Sequence, residues 1–287
     1  MQKKSARPSA FSMLELAIAI TIIAIIIAGV TQSKTLIAGA RLSNAQTLTQ
    51  NTSVKDMADM VAWYETSLET SFLFKEQTEG ASISEWIDIN PNAASRNSAA
   101  QSNAGNKPKL YQAVINDGIP VVRFDGIDDF MTFDGKPLVG GSYTIFVVEQ
   151  RRAGSNLMMF LGDTSVDNSL HVGYRSNTAI TQANSNTVLN DCAVSSYSSP
   201  TPTIHSFWFN LDSGQKYWQN GGSDPDDADS AFKAPVTSYL YAALGRYSAN
   251  YFNGDLAEII IFNRALQTTE RQMVEDYLSQ KYGIAIS

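Results

Sequence analysis

A single cysteine, Cys192, rules out an intramolecular disulfide, so the fold must be held by its apolar core rather than by covalent staples. Two histidines, His171 and His205, serve poorly with that one thiol as zinc ligands, and they leave a serine-type triad little choice of imidazole base. No G-x-S-x-G elbow occurs to expose a nucleophilic serine. Positive charge is also short: 21 Lys and Arg face 28 Asp and Glu, a formal charge of −7. A surface of that sign repels phosphate backbones, so nucleic acid is not expected as a partner. Charged residues make up only 17% of the chain, while Ser, Asn, Thr and Gly are abundant, as in exported β-proteins with short strands and polar turns.

What the chain does have is a long apolar run. Phe11 to Val30 is interrupted by one charged residue, Glu15, and preceded by a short leader with Lys3, Lys4 and Arg7. About 20 residues at about 1.5 Å each reach across the roughly 30 Å of a hydrocarbon core. The basic leader points to the cytoplasm and the acidic remainder to the opposite side. A carboxylate at the centre of a membrane helix costs about 2.5–3.5 kcal/mol on insertion scales, less near an end, so Glu15 needs a partner and marks a functional position. Leu36, Ile37, Ala40, Ala45 and Leu48 continue on one face beyond Val30, which predicts a single helix from Phe11 to about Gln50 with an amphipathic outer half.

The stretch Ala10-Phe11-Ser12-Met13-Leu14-Glu15-Leu16 with the isoleucine-rich segment after it resembles the cleavage and N-methylation motif of prepilins, the precursors of type IV pilins and type II secretion pseudopilins. The resemblance covers roughly residues 1–50. It implies a leader at 1–10, cleavage by prepilin peptidase between Ala10 and Phe11, methylation of the new amine on Phe11, and a pilin-type helix at 11–55. Ala10 stands where the family usually has glycine. Glu15 maps to the family's glutamate, whose role is to pair with the positive N-terminus of a neighbouring subunit so that two charges costly in lipid neutralise each other. The partners implied are the peptidase, other pilin or pseudopilin subunits, the assembly machinery and the membrane. The implied location is the bacterial inner membrane, with the C-terminal domain periplasmic, and then a cell-surface filament. A secretory signal peptide would carry a core of about 7–15 apolar residues and a small-x-small site. Ala38-Gly39-Ala40 supplies such a triplet, yet it lies beyond the run and leaves Glu15 unexplained, as does a plain single-span anchor.

The remainder, 60–287, reads as β-structure. A first strand is expected over Met60 to Ser67, a long loop with a short strand near Trp86 over Glu76 to Lys109, and then ten strands between Leu110 and Phe262. Asp117-Gly118, Asp125-Gly126, Asp134-Gly135, Asn220-Gly221 and Asn253-Gly254 separate them. In Thr203 to Leu211, alternation sends His205, Phe207, Phe209 and Leu211 to the core and Trp208 the other way. The closing helix is expected to bury Met273, Val274, Tyr277 and Leu278, with Thr269 and Gln272 as its capping box. The fold class is thus a long N-terminal α-helix, transmembrane before assembly, plus a mainly-β antiparallel jelly-roll sandwich with a C-terminal helix.

Gly254-Asp255-Leu256-Ala257-Glu258-Ile259-Ile260-Ile261-Phe262 followed by the helix through Tyr277 and Leu278 resembles the closing strand and helix of concanavalin A-like lectin/glucanase domains of the laminin-G-like type. Trp63, Trp86-Ile87-Asp88, Val121-Val122-Arg123-Phe124-Asp125-Gly126 and Tyr143-Thr144-Ile145-Phe146 fall in the matching order. The glucanases of that fold use an E-x-D-x-x-E strand, and here no Glu has an Asp two residues later, so the chain is expected not to be an enzyme. The resemblance suggests a glycan ligand, for which Trp208, Trp218, Tyr174 and Tyr197 are candidates by residue type. No cofactor is expected, with Ca²⁺ the one ion the acidic loops suit: Asp224, Asp226, Asp227 and Asp229 crowd one loop, while Asp125, Asp128 and Asp129 read as a turn between core strands. The functional expectation is a minor pilin or pseudopilin-like subunit displaying a lectin-like domain for surface recognition or adhesion. The alternative is a membrane-anchored carbohydrate-binding adhesin that does not polymerise.

Overall fold

The computed structural model describes residues 13–164, 170–185, 188–239 and 242–287. One helix of 39 residues, Met13–Asn51, leads into an antiparallel sandwich that ends in a second helix, Thr268–Tyr282. With no proline in the way, the apolar run and its amphipathic continuation form a single rod. Its two ends meet different surroundings. Leu14, Ile18, Ile22 and Ile26 are each more than half exposed, whereas Ala45 is completely buried against the sandwich.

The first sheet runs in the spatial order Asp227–Asp229, Gly214–Gln219, Thr203–Asn210, Tyr143–Arg151, Asn253–Phe262, Ile119–Asp125 and Lys109–Ile115. Met60–Glu65 joins it by pairing with the second half of Asn253–Phe262, whose first half pairs with Ile119–Asp125. The second sheet runs Val188–Ala193, Ala179–Ser185, His171–Ser176, Met158–Asp163, Ala242–Leu244, Met131–Thr132, Ala99–Ala100 and Glu85–Trp86.

The strand Tyr143–Arg151 shows why a helical layer is needed. Tyr143, Ile145 and Val147 enter the core between the sheets, while Phe146 and Val148 belong to a second apolar cluster on the opposite face. A strand buried on both faces reads as a near-continuous apolar run. The second cluster is roofed by Val274, Tyr277, Leu278 and Tyr282 of the closing helix and by Ala45 of the long one.

Under that roof lies a buried ionic seam. Lys281 Nζ donates to Glu258 Oε2 at 2.8 Å and to Glu65 Oε2 at 3.0 Å, all three side chains being buried. Glu258 also accepts from Trp63 Nε1 at 2.7 Å, Tyr277 OH at 2.8 Å and Tyr282 OH at 2.8 Å. Glu65 accepts from the Ser67 and Leu68 amides and the hydroxyls of Ser67 and Ser71. Such satisfaction is what permits charges in a low-dielectric layer. Burial pushes the Glu65 carboxyl up, but the Lys281 charge and these hydrogen bonds outweigh it and hold it below the usual range.

The closing helix departs from the expected face and cap. Met273 is 43% exposed, while Arg271, Glu275 and Lys281 are buried beside Val274, Tyr277 and Leu278. The cap is Gln267, whose N–H donates to Glu270 Oε2 at 2.9 Å, and Arg264 holds the same carboxylate through two bonds of 2.7 Å. Leu211 is 38% exposed, because the strand ends at Asn210 and the turn begins. The hairpin Ala179–Ser185 and Val188–Ala193 escapes sequence reading because polar residues follow Ile180 on its inward face: Gln182 Nε2 donates to Tyr143 OH and Trp208 O at 3.1 Å each.

Candidate functional site

Three groups of residues are candidates for a functional role. On the long helix, Glu15 sits in the first described turn on the exposed apolar stretch. Ala10 and Phe11 lie outside the described residues. The helix is long and apolar enough to cross a membrane, a property that anchors and signal sequences share. Its distal half is fastened to the sandwich: Arg41 Nη1 donates to Asn116 O at 2.6 Å, Gln46 Nε2 to Ser67 O at 2.9 Å, and the Thr49 and Tyr277 hydroxyls meet at 3.0 Å. Gly118, in the hairpin tip beside Arg41, lies so close that an added Cβ would stand 2.5 Å from Arg41 Cβ.

The acidic residues divide differently from the sequence expectation. The 224–229 loop does not form a cage, because its end is a strand, Asp227–Asp229, and its carboxylates serve local amides. Asp226 Oδ2 accepts from Gln219 N at 2.6 Å, Asp227 Oδ1 from Ala228 N at 2.9 Å, and Asp229 Oδ1 from Ala231 N at 2.7 Å. Among the described residues, the acidic group that brings its oxygens within 4.8 Å of one another is Asp125, Asp128 and Asp129. It is a turn that caps itself: Asp125 Oδ1 accepts from Ile127 N at 2.8 Å, and Asp129 Oδ2 from Asp125 N at 3.0 Å. Burial, aided by the Asp125 and Asp128 charges, pushes the Asp129 carboxyl up to about 7.

The four aromatic candidates fall into two pairs. Trp208 and Trp218 face the closing helix: Trp208 Nε1 donates to Leu266 O at 3.0 Å, and the Arg271 guanidinium lies 4.0 Å from the Trp218 ring. Tyr174 and Tyr197 share one rim of the sandwich with Arg151, whose guanidinium lies 4.2 Å from the first ring and 5.8 Å from the second. These three line a cavity of about 200 Å³ with the serine-rich loop after Val194 and the strand ends at Thr203 and Gln219. Below it is a polar cluster between the sheets. Tyr174 OH donates to Glu149 Oε1 at 2.8 Å, His205 Nε2 lies 3.0 Å from the same oxygen, and His205 Nδ1 lies 2.8 Å from Tyr217 OH. His205 is fully buried, as its strand parity predicts. Arg151 and Glu149 were not singled out by sequence, since both end a strand that reads as plain core.

No family model and no curated protein matches the chain. Solved structures do share its fold. A Trypanosoma rangeli sialidase in complex with 2,3-difluorosialic acid superposes with a TM-score of 0.53 at 11% identity, over 88% of this chain and 39% of that one. A second structure of that sialidase gives 0.52 at 13%, over 78% and 33%. A botulinum neurotoxin type C structure, described in terms of cell entry through two ganglioside molecules, gives 0.50 at 12%, over 78% and 52%. The chain therefore spans well under two thirds of the length of each protein, and the likeness is one of fold: a lectin-like β-sandwich. It also corrects the expectation that the chain is not an enzyme. The same sandwich occurs within sialidase chains, which are enzymes, so a missing E-x-D-x-x-E strand does not decide the matter.

Proposed function

We propose that this chain is a filament subunit of the minor-pilin or pseudopilin type, carrying a lectin-like sandwich for surface recognition or adhesion. The observation that supports it most is the long helix, half docked and half exposed, with Glu15 as the one charge between Phe11 and Val30. On this reading the leader is cut between Ala10 and Phe11 by the prepilin peptidase, and the Phe11 amine is methylated. The exposed half lies in the inner membrane with the sandwich in the periplasm, then moves into a filament core. There Glu15 meets the amine of a neighbouring subunit, and the two charges neutralise each other out of water. Recognition of glycans is supported by the company the fold keeps, since the botulinum neurotoxin type C structure concerns interaction with two ganglioside molecules and the binding domain of botulinum neurotoxin DC is in complex with SialylT.

Glu15→Ala tests the reading. The variant is expected to remain in the membrane with its sandwich folded but to be lost from sheared filament or secretion-complex fractions. Normal surface display by the variant, with neither it nor the parent chain in those fractions, would favour the anchored adhesin that never polymerises.

A further inference from the structure

We infer that the rim cavity at Arg151 is a binding site for a carboxylated saccharide, the carboxylate facing the guanidinium and the sugar ring lying against Tyr197. This deepens the recognition role proposed above and rests on it. The argument begins with an unbalanced charge. Arg151 is only 8% exposed, yet it has no carboxylate partner among the described residues. Arg271, which is as deeply buried, is paired with Glu275 at 2.5 Å, and the more exposed Arg123 and Arg264 are paired with Asp255 at 2.6 Å and Glu270 at 2.7 Å. A buried cation ordinarily has an anion beside it. Arg151 instead donates to the backbone carbonyls of Asn177, at 3.0 Å, and Ser195. A guanidinium carries five N–H donors, so capacity remains, and its planar fork matches a carboxylate.

The surroundings specify the rest of the ligand. No acidic residue lines the cavity, although the protein as a whole carries −7. Its wall is instead hydroxyl and carboxamide: the serine-rich loop at 195–199, Thr203, Gln219 and Asn220. Such groups match a polyhydroxylated ring, and a half-buried tyrosine offers the flat apolar surface on which the C–H face of a sugar packs. A volume of about 200 Å³ suits one sugar unit rather than a long chain. Tyr174 is fixed as the floor by its bond to Glu149, which His205 holds from below while itself bonded to Tyr217, so the cavity is preorganised.

The full chain in a detergent without sugar headgroups is titrated with glucuronic acid, N-acetylneuraminic acid, neutral glucose and acetate, followed by saturation-transfer NMR. One or both acidic sugars are expected to bind in the millimolar range, with glucose and acetate at least tenfold weaker. The two acids separate uronic from sialic sources. Arg151→Gln should weaken binding at least tenfold and Tyr197→Ala at least threefold. Near-UV circular dichroism certifies the fold, and Tyr197→Ala, away from the core, keeps the test valid if Arg151→Gln unfolds. Equal binding of glucose or acetate, or unchanged binding by both folded variants, overturns the assignment while leaving glycan recognition elsewhere intact. A chain that binds none of these probes, nor any member of a broad glycan array, overturns the assignment and the recognition role together.

Discussion

The two halves of the long helix share one backbone and obey opposite solvents. From Leu14 to Ile27 the apolar residues occupy every side of the rod and stay exposed, whereas beyond Ala40 burial is confined to one stripe, at Ala45 and Thr49. An all-round apolar helix asks for lipid or other helices, and a striped one asks for its own domain. The change of pattern, more than the length, separates what is held by the sandwich from what is offered to the outside.

The largest expected effect comes from cutting the seam that fastens the closing helix, against which the docked half rests through Thr49 and Tyr277, to the sheet. Glu258→Ala would leave Lys281 facing one carboxylate instead of two and strip partners from Trp63, Tyr277 and Tyr282. Breaking a buried pair costs about 3–5 kcal/mol, which should appear as a lower urea midpoint. Next in size, Ala45→Leu at the fully buried contact should cost about 1–3 kcal/mol by overpacking, and Gly118→Ala a similar amount. For both, hydrogen exchange should report faster opening over residues 38–49 while the sheets stay protected.

Titration sharpens the same contrast. The Glu65 carboxyl is held below its usual 4.5, so its contribution is present above that value and is lost as pH falls through the folded value. Burial pushes Lys281 down, but Glu258 and Glu65 outweigh it and raise it above 10.5, so its contribution is full below 10.5 and lost as pH rises through the folded value. The seat of the closing helix, and the docked half that rests on it, should therefore loosen at both extremes, read by Trp63 emission, and Glu65→Gln should flatten the acid limb. The smallest effect is reserved for the other side of the boundary: Leu36→Ala, at 75% exposure, should change stability of the detergent-solubilised chain by no more than about 0.5 kcal/mol.

The long helix, the order of the strands and the closing helix were legible because periodicity and turn residues declare them locally, and Trp63, Phe207 and Val274 fall where alternation puts them. What stayed hidden depends on partners distant in sequence. Lys281 reads as a solvated residue near a helix end until Glu65, 216 positions earlier, comes beneath it. Thr269 and Gln272 looked like a cap because the type of residue fits, but the chain turns at Gln267, where Arg264 and Glu270 fix it. Of the aromatic candidates, Tyr174 and Tyr197 meet only because Arg151 stands near both, and no local pattern announces that.

The central claim is that the exposed half of this helix is a processed filament segment, and intact-mass spectrometry of the protein from its native membrane tests it most directly. The account predicts a mass lacking Met1 to Ala10 and carrying one added methyl group on Phe11. A polypeptide that keeps those ten residues, or one trimmed near Ala40, would contradict it.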